Sequence, residues 1–164
     1  MDKVALTQAQ KEAYMREALY EAKRAQVIGE VPIGCVIVLD GEIIGRGHNL
    51  REHSQDATMH AEMLAIQEAN NKVASWRLVD AQLFVTIEPC PMCSGAIINS
   101  RISEVYYGAP DPKAGTVGSL MNLLTDERFN HQAAVESGIL KDDCRQIMQD
   151  FFRNIRRKRK KNKK

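Results

Sequence analysis

Two short segments carry residue types that hold metals and move protons: His60-Ala61-Glu62 and Pro89-Cys90-Pro91-Met92-Cys93. One imidazole and two thiolates supply three ligands for zinc, which takes four. A zinc site with three protein ligands keeps its last position for water, as catalytic zinc sites usually do. No second Cys-x-x-Cys follows, and no pair of histidines stands nearby to close the site. The same residues admit two other readings, a structural zinc knot and a redox pair. The knot lacks its fourth protein ligand, and a redox pair has no use for His-x-Glu. Glu62 lies two residues after His60, which on a helix turns the two side chains about 200° apart. One can then bind the metal while the other reaches the open position from a different side. A carboxylate suits that place because it can accept a proton and return it.

Several elements must position these residues. Thr7 and Gln10 have capping-box spacing, and Ala18, Leu19, Ala22 and Ala25 follow at helical spacing until Gly29. Two β-rich runs, 32–39 and 42–46, flank Asp40-Gly41 and predict a hairpin with a tight primed turn. Residues 47–58 are polar and read as a loop. A second helix is expected over 59–70, with Met63, Leu64 and Ile66 on its apolar side and Thr58 as its candidate cap. Residues 81–86 read as a buried strand. Pro91 fits a first helical turn, so 91–99 is expected to be a short helix. Both chemical segments therefore stand at helix starts. Residues 105–107 form another expected strand. From residue 141 a stripe of Cys144, Ile147, Met148, Phe151, Phe152 and Ile155 recurs at helical spacing. Strands and helices alternating in this way indicate a layered α/β sheet.

The chain has 164 residues, enough for one domain and for a core without disulfides. A composition of 44% hydrophobic, 27% charged and 5% aromatic residues excludes a disordered tail protein, a collagen and a coiled-coil rod. The longest apolar stretch, 31–39, is broken by Pro32 and Gly34, so no membrane span is expected. The first 25 residues hold no continuous apolar block, and the expected address is the cytoplasm. There the four cysteines are not expected to form disulfides. The net charge of +2 hides an asymmetry: residues 153–164 hold nine Lys or Arg and no acid, against 14 basic and 21 acidic residues in the rest. Such a run suits a polyanion, usually nucleic acid or an anionic membrane surface; a solvated tail is the alternative. The domain organisation expected is a single domain over 1–152 and a basic C-terminal tail over 153–164 that continues the last helix.

The chemical segments and six further landmarks together resemble the cytidine-deaminase-like zinc deaminase superfamily, and most closely its bacterial tRNA-specific adenosine deaminases. The landmarks are Val31-Pro32-Ile33-Gly34, Gly47-His48-Asn49-Leu50-Arg51, Ser75-Trp76-Arg77-Leu78, Gly118-Ser119-Leu120-Met121, Asn130-His131 and Phe151-Phe152-Arg153. The second metal segment extends back to Thr86-Ile87-Glu88. The resemblance spans roughly residues 14–156, and Pro91 is a small departure from it. It implies a three-layer α/β/α fold around a mixed five-stranded sheet. It also implies one Zn2+ per subunit on His60, Cys90 and Cys93, with zinc-bound water as the nucleophile and Glu62 as proton shuttle. The reaction implied is hydrolytic conversion of the anticodon wobble adenosine to inosine, with the tRNA anticodon stem-loop as partner and a homodimer as the acting form. Asn49 and the backbone of Ala61 are then expected at the target base, Asp111 at a ribose hydroxyl and Lys113 at a phosphate. Of Phe151 and Phe152, about 100° apart on a helix, one is expected to pack on the sheet and the other to meet an RNA base, with Arg153 on phosphate. Rival readings are a deaminase of free bases or nucleosides, which shares the zinc residues but needs no basic tail, and a nucleic-acid-binding module with a structural zinc, which has no use for Glu62. Trp76 is expected to pack beside a strand. His48, His53 and His131 are expected in loops or at the surface, and Cys35 and Cys144 to behave as small hydrophobes. Gly115, Gly118 and Ser119 faintly resemble a phosphate cradle, without the lysine that would complete one.

Overall fold

A capping box starts the first helix, α1 (Gln8–Val27): the Thr7 side chain accepts from the Gln10 amide at 3.1 Å, and the Gln10 side chain accepts from Thr7 N at 2.9 Å. The structure is a computed structural model that describes residues 4–163; residues 1–3 and Lys164, the last residue of the basic run, lie outside the described residues. The expected hairpin is β1 (Gly34–Leu39) and β2 (Glu42–His48), joined by Asp40 and Gly41 at φ 50° and 79°, the conformation of a primed turn. The remaining elements are α2 (Arg51–Ser54), α3 (Ala61–Val73), β3 (Gln82–Ile87), α4 (Pro91–Asn99), β4 (Glu104–Ala109), β5 (Ala134–Ser137) and α5 (Lys141–Asn162).

The strands form one mixed sheet in the order β2-β1-β3-β4-β5. β1 runs antiparallel to β2 and β3, whereas β3, β4 and β5 are parallel. Alternate side chains of each strand feed two cores. Cys35, Ile37, Leu83 and Val85 face α3 and α4, while Val36, Val38 and Phe84 face α1 and α5. The result is the three-layer α/β/α fold. In the second core Phe84 stacks on Tyr106 with centroids 4.6 Å apart, a pair that contributes about 0.5–1.5 kcal/mol beyond its buried area. Parallel β3 and β4 both end toward the same edge. α3 and α4 begin there, at the sheet's carboxyl edge where α/β folds place their ligands.

Several local expectations are corrected. The polar stretch 47–58 contains the last residues of β2 and the short helix α2. α3 starts two residues later than its periodicity suggested, and Thr58 does not cap it: its amide and hydroxyl both donate to Asp56 Oδ1, at 2.8 and 2.7 Å. The N-cap is His60, in extended conformation, so the helical 200° offset between His60 and Glu62 does not apply. The buried face of α3 is Ala61, Glu62, Ala65, Ile66 and Ala69, because small residues let it lie close to the sheet; Met63 and Leu64 are only partly buried. β5 escaped notice because its four residues are exposed or half-buried and show no clean alternation. Trp76 is 54% exposed and stacks under the Arg77 guanidinium at 4.3 Å instead of entering the core. Among the described residues, no helix is long and apolar enough to cross a membrane.

Candidate active site

Two helix entrances converge beyond the end of β3. Cys90 is the N-cap of α4, and Pro91 takes the first helical position, where a missing N–H costs nothing. Cys93 then lies one turn in, fully buried. His60 holds the corresponding place on α3. Its Nδ1 stands 3.6 Å from Cys90 Sγ and 3.5 Å from Cys93 Sγ, and the three ligand atoms all lie within 4.8 Å of one another. With Zn–S near 2.3 Å and Zn–N near 2.0–2.1 Å, a tetrahedral ion requires N···S edges of about 3.6 Å. The donor set and its spacing therefore fit zinc. The side chains share protons closely: the Cys93 side chain, then the His60 ring, draw Cys90 down to about 4, while Cys93 beside that sulfur is pushed up. One thiolate is thus already favoured, and a cation between the sulfurs would favour the second.

Glu62 sits in the first turn of α3, 4% exposed, beside this trio. Burial pushes its carboxyl up to about 7. It lines, with His60 and Cys90, a cavity of about 320 Å³. That is near the lower end of small-molecule sites, ~300–1,000 Å³, and suits a single base or nucleoside. Val31, Ile33 and Ile87 make apolar walls, and Asn49, Ala61, Asp111 and Phe152 also line the cavity. Asn49 is 6% exposed and fixed by its neighbours: its Oδ1 accepts from Arg51 N at 3.1 Å, and its Nδ2 donates to Val31 O at 3.4 Å. The local backbone cap that Asn commonly makes is therefore present, and these two bonds leave one Nδ2 hydrogen uncommitted.

The cavity continues into a larger groove, about 870 Å³, between α5 and the segment 109–113. Asp111, Met148 and Phe152 line both spaces. Lys113, Arg145, Arg153 and Arg156 give the groove its positive charge. Phe151 and Phe152 divide as adjacent helical positions must: Phe152 is 41% exposed and lines both spaces, whereas Phe151 is 7% exposed and lines neither. Phe151 is thus the one of the pair that packs inward, and its ring meets Phe152 edge-on at 5.4 Å. Asp111 Oδ1 accepts from Lys113 N at 3.0 Å and Ala114 N at 3.2 Å, closing the turn at the rim.

Three charged lining residues were not singled out from sequence. Arg51 follows Asn49 by two positions, a nearness that could have flagged it. Arg145 precedes Arg153 and Arg156 by eight and eleven positions on one face of α5, also a readable signal. Glu88 lines the cavity too, yet it is 2% exposed with every oxygen engaged. The glycine-rich segment read as a faint phosphate cradle does cradle an anion, but the anion is Glu88: Val117 N and Ser119 N donate to its Oε2 at 2.9 and 3.0 Å. The remaining histidines are tied locally, His48 to Glu21, His53 to Glu30 and His131 to the Ile102 carbonyl. Cys35 and Cys144 are buried in the two cores.

Comparison with known proteins gives consistent results. The family model of the MafB19-like deaminases matches residues 9–156. A tRNA-specific adenosine deaminase of Bacillus subtilis (strain 168) is 56% identical over 151 residues, covering 92% of this chain and 94% of that protein. One from Streptococcus pyogenes serotype M1 is 60% identical over 147 residues, covering 90% of this chain and 86% of the relative. Among solved structures, one from work on A-to-I editing by tRNA:A34 deaminases at the wobble position of transfer RNA superimposes with a TM-score of 0.79. It is 41% identical, and the match covers 82% of this chain and 98% of that one.

Proposed function

The chain belongs to the MafB19-like deaminases and, among them, to the tRNA-specific adenosine deaminases, and from this premise we propose how its own residues carry the reaction. The enzyme converts adenosine at the wobble position of tRNA to inosine and releases ammonia. In this reading His60 Nδ1, Cys90 Sγ and Cys93 Sγ hold one zinc ion per chain. When bound, zinc supplies the Lewis acidity that lowers the pKa of water from ~16 toward ~7, so that a nucleophile exists at neutral pH.

Glu62 then carries protons. Its carboxylate takes one from the attacking water as the oxygen adds to carbon 6 of adenine, and delivers it to ring nitrogen 1. The carboxylate so regenerated then takes the second proton, from the hydroxyl on carbon 6, and passes it to the departing amine; the C6–N bond breaks, ammonia leaves and a carbonyl remains at carbon 6. Asn49 Nδ2 offers its free hydrogen to a ring acceptor of the purine, and the Ala61 backbone adds a second contact. Ile33 and Ile87 exclude water from the ring faces. Phe152 stacks on a neighbouring base, Asp111 meets a ribose hydroxyl, and Lys113 and Arg153 meet phosphates. Phe151 acts only by holding Phe152.

The observation that carries this reading is one continuous space: a metal-binding trio with a buried non-ligand carboxylate, in a cavity sized for one base, that opens onto a basic groove. A deaminase of free bases would have no use for the groove. A homodimer and a cytoplasmic address belong to the same reading. Exposed Leu120, Met121 and Phe129 support the first by offering apolar surface to a second copy. The test is to incubate the purified protein with tRNA, free adenosine and free guanine. Wobble adenosine read as guanosine on sequencing, with one zinc per chain by elemental analysis, is expected. Ammonia from free guanine alone would overturn the reading.

A further inference from the structure

Resting on the reading that the cavity takes the adenosine, we propose that Glu88 is a positioning residue: its carboxylate ties the loop 110–119 to the cysteine turn and thereby sets the cavity wall that Asp111 and Ala114 form. Glu88 is the residue between the end of β3 and Pro89-Cys90, so its backbone is already part of the metal-binding turn. Its own amide donates to the Ala109 carbonyl at 2.9 Å. Its side chain reaches the other way, into the loop.

There it receives four hydrogen bonds. Asp111 N donates to Oε1 at 3.1 Å and the Ser119 hydroxyl to the same oxygen at 2.5 Å. Val117 N and Ser119 N donate to Oε2 at 2.9 and 3.0 Å. The partners lie 23 to 31 residues away in the chain, so these bonds define where the loop sits and not merely how it turns. Gly115 makes the approach possible. A Cβ on it would lie 2.2 Å from the Glu88 carboxylate carbon and from Oε2. A second set of bonds fastens the same loop one residue further on: Thr116 N donates to the Pro89 carbonyl at 2.9 Å, and the Thr116 hydroxyl meets Ser94 of α4 at 2.8 Å.

The donors to Glu88 are three amides and a hydroxyl, directed groups of fixed geometry with no lysine or arginine among them. A carboxylate that only needed neutralising would be served by a cation; this one fixes directions. Each oxygen has two donors, so Glu88 has no capacity left for substrate, although it lines the cavity. Its effect on the reaction must pass through the loop. Asp111 is the link, since its amide is held by Glu88 while its side chain closes the turn at the rim.

The test uses full-length protein loaded with zinc. Glu88→Gln keeps the size but sets an NH2 group against two donors, while Gly115→Ala leaves the carboxylate and displaces the loop. Both variants are expected to keep one zinc and a cooperative melt, and to bind tRNA within about 3-fold of the parent. Both should lose about 10–100-fold in kcat, because displacements near 1 Å in the reacting geometry cost on that order. Hydrogen exchange at the Val117 and Ser119 amides should accelerate in Glu88→Gln. That measurement needs no substrate, so it tests the tie even if the substrate were not tRNA. Unchanged exchange, or an unchanged kcat in both variants, would overturn the proposal. Loss of zinc would do so as well, by assigning Glu88 to the metal turn instead of the loop.

Discussion

Glu62 is the residue whose chemistry is most sharply separated from its structural role. It is buried at the helix start, beside two sulfurs, where desolvation disfavours its charge. A neutral group of the same shape should sit there with less strain, as functional sites often trade stability for activity. Glu62→Gln is therefore expected to melt no lower than the parent and to keep zinc and tRNA binding. Turnover should fall at least 10²–10⁴-fold, the usual contribution of a general acid–base group. Ammonia release, metal analysis and a thermal melt together check this; loss of zinc along with activity would make Glu62 a ligand instead. The grouping of His60, Cys90 and Cys93, whose ligand atoms lie within 4.8 Å of one another, was legible in the sequence because few chemistries use an imidazole and two thiolates at such spacing. Glu88 was not, because its role depends on amides in a distant loop. Thr58 was misread because α3 begins two residues later, with His60 as N-cap, and the Thr58 hydroxyl turns back to Asp56 instead.

At the level of elements, periodicity placed α1 and the start of α5, where Cys144 and Phe151 are buried, whereas Asp40-Gly41 marked the β1–β2 hairpin and Pro91 marked α4. It misplaced the buried face of α3, where alanines and Glu62 lie inward and the larger Met63 and Leu64 lie at the margin. The reason is the closeness of α3 to the hairpin. A Cβ on Gly47 of β2 would stand 2.2 Å from the Ala61 carbonyl and 2.8 Å from Ala65 N. That contact presses the start of α3, which carries His60 and Glu62, against the sheet. Gly47→Ala must push the helix outward by its backbone. Overpacking of this kind costs about 1–3 kcal/mol. The expected outcome is a drop in unfolding free energy of that order, read from the denaturant midpoint, together with a loss of kcat greater than a stability change alone produces. Comparing kcat of the folded variant with that of an equally destabilised variant remote from α3 separates the two. Equal rates in both would show that the hairpin supports α3 without positioning the site.

Over the whole molecule, charge is divided between a body and a helix end. Residues 153–164 hold nine basic side chains, and the remainder has 21 acidic against 14 basic residues. α5 carries much of this run as helix, to Asn162, so its charge extends from the groove where Arg153 and Arg156 lie. An acidic body repels RNA at long range, and the helix end must supply much of the attraction. Phosphate neutralisation releases counterions, so log affinity falls with log salt by roughly 0.7 per neutralised phosphate on single strands and 0.9 on duplex. Ending the chain after Arg153 removes eight basic residues and turns the formal charge from +2 to −6. Weaker tRNA binding, a flatter salt dependence and slower turnover at low tRNA are expected. Zinc content should not change, because His60, Cys90 and Cys93 lie far from the cut in the chain. Saturating tRNA should restore most of kcat, since Phe152 and Arg153 remain and the deep cavity is intact. The measurement is the deamination rate against tRNA concentration at two salt concentrations, for both lengths. An unchanged salt slope would mean that the helix end is solvated and apart from the RNA, leaving recognition to Lys113, Arg145 and the rim around Asp111.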